Sequence, residues 1–243
     1  MTPTLSGGEI ILWEFLGTAA LLLFGVGVVA NVILPRSNAD GDTSHWVIIV
    51  IGWGVGVLTG ASIADKTGGH INPAVTIGLA MAGKTPWSEV PFYLVGQLLG
   101  AFVGATLAWL VYKLQFDANR EQNADTVGIF ATNPPIKKPV WNLVSETIAT
   151  FFLVLFILVA PYQSPANYAA VTALVVGIGA ALGGPTGYAI NPARDLGPRA
   201  AYSVLPIPGK GTADWGYAWV PIVGPLLGAV LAGLLALVLP TAS

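Results

Sequence analysis

Residues 68–77 read GGHINPAVTI and residues 187–196 read GYAINPARDL, and these two stretches decide the fold of the chain. Each contains Ile-Asn-Pro-Ala and is entered through a glycine. Asn is among the preferred N-cap residues of helices, and Pro is favoured at the first helical position. Each stretch therefore predicts a helix that begins directly after its Asn, and the repetition predicts two equivalent helix starts.

The composition indicates that most of the surface does not face water. Of the 243 residues, 54% are hydrophobic and only 9% are charged, and the mean hydropathy is +0.73. Soluble proteins carry roughly 25% charged residues. The net charge of −2 lacks the basic face that a nucleic-acid partner requires. With no cysteine and no nucleophile–base pair, the sequence predicts neither an enzyme nor a metal or cofactor site.

Six apolar stretches are long enough to cross a bilayer, which requires about 20 residues in a helix. Two further apolar pieces, 71–83 and 190–205, each contain one Asn-Pro-Ala and are too short to cross. We therefore expect an all-α membrane protein with six transmembrane helices and two re-entrant half-helices. The predicted spans are 10–34, 46–64, 90–112, 140–160, 166–182 and 215–239.

The spans fall into two similar halves. The first span opens WEFLGTAALLLFG and the fourth opens SETIATFFLVLFI, which places Glu14 opposite Glu146. Three spans per half is an odd number, so the second half enters the membrane from the opposite face and forms an inverted repeat. We expect one domain, 1–243, with a first repeat over about 9–114, an exposed polar connection over about 115–139, and a second repeat over about 140–240.

Glycines recur at every fourth position of the third span. This spacing lets helix backbones approach closely. It predicts tight packing along that helix, at Gly96, Gly100 and Gly104.

The Asn-Pro-Ala motifs, formed by Asn72, Pro73, Ala74 and by Asn191, Pro192, Ala193, predict a polar passage at mid-membrane depth. The chain before each Asn cannot be helical, and such backbone is tolerated at this depth only where it lines a cavity or is buried in protein. Carbonyls would then face the passage, and the Asn amides would offer donors. Water or a polyol suits this pattern, whereas the positive ends of the helix dipoles oppose cations and protons. The predicted lining backbone is that of Gly69, His70, Ile71, Ala189 and Ile190.

The doubled Asn-Pro-Ala, with a Glu opening each half, resembles the aquaporin or major intrinsic protein family over nearly the whole sequence. The resemblance implies a right-handed helical bundle in the cell membrane, assembled as a homotetramer among membrane lipids, with both termini cytoplasmic. The count of positive charges alone favours the opposite orientation. The connections on the N-terminal side hold only Lys66 and Lys84, and those on the other side hold Arg36, Lys113, Arg120, Lys137, Lys138 and Lys210.

Asp195, which follows Arg194, and the phrase GIFATNP at 128–134 resemble the glycerol-conducting branch of that family. The resemblance implies a selectivity filter formed by Trp53, Gly179, Tyr188 and Arg194. Gly179 would leave space, Trp53 and Tyr188 would form an apolar corner, and Arg194 would donate to adjacent hydroxyls. Such a filter suits glycerol and similar small neutral solutes, with water also passing. Tyr instead of the commoner Phe at 188 leaves lactic acid and dihydroxyacetone open as solutes.

Three acidic residues at membrane depth need an explanation. We expect Glu14 and Glu146 each to accept hydrogen bonds from the non-helical loop of its own half, with a proton relay as the alternative. Asp195 is expected to stabilise the start of the second half-helix. Two other functions stay open at this point: a water-selective channel of the same fold, and a proton-coupled secondary transporter.

Overall fold

The computed structural model describes residues 5–159 and 165–239, and within these ranges every regular element is helical. Single 3₁₀ turns lie at Asp65–Thr67 and Asn123–Asp125. The α-helices are α1 (Gly7–Ile33), α2 (His45–Ile63), α3 (Pro73–Met81), α4 (Val90–Val111), α5 (Lys113–Ala118), α6 (Val127–Phe130), α7 (Pro139–Val159), α8 (Pro165–Leu182), α9 (Pro192–Val204) and α10 (Val220–Ala236).

The six predicted spans correspond to α1, α2, α4, α7, α8 and α10. By length and composition, α1, α2, α4 and α7 can cross a membrane, and α8 and α10 are shorter apolar helices in the part of the chain that is described. The predicted start of the last span at 215 is wrong, because 215–219 forms turns before α10 begins. Residue 160, the predicted end of the fourth span, lies outside the described residues.

The two half-helices begin where the Asn-Pro signal predicts. Helix α3 has 9 residues and α9 has 13, each with an Asn as N-cap and a Pro in its first turn. At 1.5 Å per residue they reach about 14 Å and about 20 Å, so neither crosses a hydrocarbon core of about 30 Å alone. The first half-helix is shorter than predicted, because it ends at Met81.

The packing repeats between the two halves. Helix α1 packs on α4, and α7 packs on α10 in the same way. Each half-helix packs on the last long helix of the other half, α3 on α10 and α9 on α4. This reciprocal arrangement is the inverted repeat, and it brings the two half-helices together between the long helices.

Glycines let the paired helices touch along their backbones, as the spacing in the third span predicted. A Cβ added at Gly96 would lie 2.6 Å from the carbonyl oxygen of Ile11 and 3.0 Å from Cβ of Glu14. In the second half, a Cβ added at Gly224 would lie 2.7 Å from Cβ of Glu146. The helix that faces each membrane glutamate therefore has a glycine at the point of contact, Gly96 for Glu14 and Gly224 for Glu146.

The connection over 115–139 is only partly exposed, so the prediction of an exposed loop is correct for 135–139 and wrong for the buried segment 129–132. It contains α5, a 3₁₀ turn and α6, and its Phe116, Asn123 and Phe130 are fully buried. The polar composition misled the prediction because its polar groups have internal partners. The amide of Asn123 donates to the carbonyls of Phe116 and Pro208 at 2.7 and 2.8 Å. The connection thus packs against both halves, with α6 in contact with α1 and with α9.

Gly96→Ala should lower the thermal stability of the purified protein by about 1–3 kcal/mol, because the added methyl group overlaps the Ile11 carbonyl. Thermal unfolding in detergent or nanodiscs measures this. Gly177→Ala is the matched control, since nothing lies within 4 Å of a Cβ at that position of α8. Equal stability of the two variants would contradict the packing described for α1 and α4.

Candidate functional site

The centre of the molecule is formed by the first turns of α3 and α9. Asn72 is extended, with φ −158°, and its Oδ1 accepts from the main-chain N–H of Ala74 at 2.9 Å. Asn191 has φ −154°, and its Oδ1 accepts from Ala193 and Arg194 at 3.0 and 3.1 Å. Both Asn residues are therefore N-caps, as the sequence predicted.

Each Asn amide also reaches into the other half of the molecule. Asn72 Nδ2 donates to the carbonyl of Ile190 at 2.8 Å, and Asn191 Nδ2 donates to the carbonyl of Ile71 at 2.9 Å. One N–H of each amide is therefore bonded within the protein, which leaves the other N–H as the donor that the motif was expected to offer to a passage. Within the described ranges, the second N–H of each amide has no protein acceptor.

The loops that enter the two caps have a strained backbone. Ile71, Tyr188 and Ile190 have φ values of 43°, 40° and 44°. This left-handed region is rare for β-branched and bulky residues and costs about 1–3 kcal/mol at each position. The strained conformation directs the Ile71 and Ile190 carbonyls at the opposite Asn amides, so it persists only where surrounding contacts hold it.

Glu14 supplies those contacts in the first half. Its carboxylate accepts from the main-chain N–H groups of His70 and Ile71 at 3.2 and 2.8 Å, and from the Thr67 hydroxyl at 2.6 Å. Gln97 on α4 donates to it at 2.7 Å. Glu14 is completely buried, so this set of donors compensates a carboxylate that has no contact with solvent.

Glu146 has the equivalent position in the second half. It accepts from the main-chain N–H groups of Ala189 and Ile190 at 2.9 and 2.8 Å, and Thr186 lies beside it where Thr67 lies beside Glu14. Each Glu thus binds the loop of its own half, which is the geometry expected for a loop-supporting role.

The His70 ring has two partners within the protein. It stacks on Tyr93, with ring centroids 4.2 Å apart, and its Nδ1 lies 3.1 Å from the hydroxyl of Thr76. Unlike the ring, the main-chain carbonyl of His70 has no hydrogen-bond partner among the described residues. The same holds for the carbonyls of Gly69, Tyr188 and Ala189. Buried carbonyls without protein partners indicate a solvated wall.

A cavity of about 80 Å³ runs along these loops and includes both Asn residues in its wall. The opposite wall is apolar, formed by residues such as Val57, Leu153 and Val175. A second cavity of about 890 Å³, which we call the vestibule, opens at the face of the molecule where α1 begins. The two cavities share lining residues, so the vestibule lies next to the small cavity. The shared residues are Gly68, His70, Ile157 and Tyr168.

Three of the four residues implied as a filter, Trp53, Tyr188 and Arg194, line the small cavity, and Gly179 lies against the Tyr188 ring. The guanidinium carbon of Arg194 lies 4.0 Å from the centre of the Trp53 ring, and Arg194 Nη1 donates to the Phe130 carbonyl at 3.4 Å. A Cβ at Gly179 would lie 2.7 Å from Cζ of Tyr188. The Arg194 guanidinium thus stacks on the Trp53 ring, and this contact is a cation–π interaction.

Tyr188 keeps a free hydroxyl within this group. The residue is 4% exposed, and its hydroxyl has no hydrogen-bond partner among the described residues. Its ring makes an edge contact with Trp46, whose indole N–H donates to the Gly179 carbonyl at 3.1 Å. The sequence analysis missed Trp46, because nothing in its local pattern distinguishes it from a tryptophan at the membrane interface.

Asp195 does more than complement the helix dipole. Its Oδ2 accepts from the N–H and the hydroxyl of Thr132 at 2.7 and 2.6 Å, and its Oδ1 accepts from Arg199 at 2.8 Å. The sequence analysis missed Arg199, although an Asp and an Arg four residues apart on a helix are a known pairing signal.

Comparisons with known proteins agree with this geometry. The family model described as Major intrinsic protein matches residues 4–236. The chain is 49% identical to a glycerol uptake facilitator protein of Streptococcus pneumoniae R6, over 90% of this chain and 94% of the relative. It is 48% identical to a probable glycerol uptake facilitator of Thermotoga maritima, over 92% and 96%. The X-ray structure of the aquaglyceroporin from Plasmodium falciparum matches with TM-score 0.82 and 32% identity, over 94% and 95%.

Glu146→Gln should destabilise the protein by about 1–3 kcal/mol, because an amide cannot accept from both Ala189 and Ile190 with the same geometry, and one buried N–H loses its partner. Thermal unfolding of the purified protein measures the loss. Glu121→Gln is the control, because Glu121 is exposed on the connection. A Glu146→Gln protein as stable as this control would show that the carboxylate does not hold the loop.

Proposed function

The chain belongs to the major intrinsic protein family, and we propose that it is a passive membrane channel for glycerol and similar small uncharged solutes. The observation that carries this conclusion is the meeting of two Asn-capped half-helices beside a cavity that adjoins a vestibule. It is a channel and not an enzyme. Its relatives named glycerol uptake facilitators support glycerol as the solute.

The two walls of the passage match the two sides of glycerol. Carbonyls without protein donors and the second N–H of each Asn amide suit the hydroxyl groups. The apolar wall opposite suits the CH groups. A polyol therefore replaces the hydrogen bonds of its hydration shell with equivalent bonds on the polar side of the passage. Its CH groups face the apolar side. Water, which also has donors and acceptors, passes by the same contacts.

The filter roles follow from the cluster around Arg194. The guanidinium of Arg194 makes a single hydrogen bond to the described protein, so its other N–H groups are available to adjacent solute hydroxyls. Trp53 and Tyr188 provide ring surface, and Gly179 leaves the space that the Tyr188 ring occupies. A fixed guanidinium and the positive ends of two helices together exclude cations and protons.

The assembly and placement are part of the proposal. The chain is a multi-pass membrane protein, and we assign it to the cell membrane as a homotetramer in contact with lipids, with both termini cytoplasmic. Its single domain divides into repeats over about 9–114 and 140–240, joined by 115–139. The loop-supporting residues are Glu14, Glu146 and Asp195, and their buried hydrogen bonds favour this role over a proton relay.

Stopped-flow light scattering on proteoliposomes tests the function. With a glycerol gradient, the initial rate should rise linearly with the gradient and should not change when a pH gradient is imposed. Empty liposomes are the control. Saturation together with a response to the pH gradient would indicate a proton-coupled transporter, and water flux without glycerol flux would indicate a water-selective channel.

Gly179→Ala should reduce glycerol permeability more than water permeability. The added methyl group would lie 2.7 Å from Cζ of Tyr188 and 2.8 Å from Val50, so the Tyr188 ring must move into the passage. An added barrier of about 1 kcal/mol corresponds to roughly fivefold in the glycerol rate. Gly177→Ala, on the same helix with open space, is the matched control. An unchanged ratio of glycerol to water permeability in Gly179→Ala would contradict the filter.

A further inference from the structure

Two arginines of helix α9 are used in opposite ways. Arg199 is completely buried, and all five of its N–H donors have protein acceptors: Asp195 twice, and the carbonyls of Thr132, Ala213 and Asp214. The guanidinium of Arg194 donates to the described protein once, in a long bond of 3.4 Å to the Phe130 carbonyl. Arg194 is therefore available to a solute, whereas Arg199 is committed to the protein.

Arg199 and Arg194 both donate to carbonyls of one segment, which belongs to the connection over 115–139. Arg199 Nη2 donates to the Thr132 carbonyl at 3.0 Å, and Thr132 donates both its N–H and its hydroxyl to Asp195. Thr132 is thus fixed at its main chain and its side chain. Phe130, whose carbonyl contacts Arg194, lies two residues earlier in the same segment, so the position of that carbonyl depends on Thr132.

Arg199 also pairs with the negative charge of Asp195, the residue next to Arg194 in the chain. Asp195 follows Arg194 directly in the chain, and a buried carboxylate without a partner would attract the guanidinium of Arg194. Arg199 occupies both oxygens of that carboxylate at 2.8 and 3.1 Å. With Asp195 paired, the guanidinium of Arg194 stays against the Trp53 ring at 4.0 Å.

We propose that Arg199 is a positioning residue for solute selection: through Asp195 and Thr132 it fixes the Phe130 carbonyl, and thereby the guanidinium of Arg194. This inference rests on the filter role proposed for Arg194. Its consequence is that selectivity depends on residues that line neither the cavity nor the vestibule.

The test compares three solutes in proteoliposomes: glycerol, the four-carbon polyol erythritol, and water. Thr132→Val removes the hydroxyl bond to Asp195 and keeps both buried charges, and Thr132→Ser is the matched control that keeps the hydroxyl. Arg199→Lys keeps the charge and loses the planar fork. In Thr132→Val and Arg199→Lys, the ratio of erythritol to glycerol permeability should rise about threefold or more, as Arg194 loses its fixed position. Thr132→Ser should retain the wild-type ratio.

Both permeabilities are measured per folded channel, so a lower yield of folded protein does not change the ratio of erythritol to glycerol permeability. If Arg199→Lys does not fold, Thr132→Val decides the outcome. Arg194→Ala separates the two hypotheses. An unchanged ratio in Arg194→Ala would overturn the filter itself. A raised ratio in Arg194→Ala together with a wild-type or lower ratio in Thr132→Val would overturn the positioning role alone.

Discussion

Two hydrogen bonds that cross the middle of the molecule hold the rest of the structure together. Asn72 donates to the carbonyl of Ile190 and Asn191 donates to the carbonyl of Ile71, at 2.8 and 2.9 Å. Helices that end at mid-depth leave polar groups where the bilayer offers no partners, and each unsatisfied group costs several kcal/mol. Because the Asn at the start of each half-helix donates to a loop carbonyl of the other half, neither repeat satisfies its own buried carbonyl alone. The same bonds keep two amides in the wall of the passage.

The two repeats support these bonds in the same way but differ at the point of selection. Glu14 and Glu146 both bind the strained loop of their own half, and glycines on the facing helices admit them. Only the second loop is followed by an arginine, and only there does the connection between the repeats pack over the half-helix. We therefore infer that the symmetric part builds the passage and that the asymmetric part, through the filter proposed at Arg194, provides selectivity.

Local signals predicted much of this. The Asn-Pro caps, the helix starts of α3 and α9 and the glycine packing of α4 depend on neighbouring residues, so short patterns were sufficient. Tertiary partners were not predictable in the same way. The connection appeared exposed because its polar side chains have buried acceptors far away in the chain, such as Pro208 for Asn123. The role of Arg199 depends likewise on carbonyls of two distant loops. The stacking of Arg194 on Trp53 joins two helices and has no local signature.

A high-resolution structure with glycerol bound would show whether the two Asn amides contact the solute. Solute hydroxyls should lie within hydrogen-bond distance of Nδ2 of both Asn72 and Asn191, while each amide still donates its other N–H to the isoleucine carbonyl of the opposite loop. The density should continue from the vestibule to Arg194. Glycerol located elsewhere, with the two amides separated or closed off from the passage, would contradict the account.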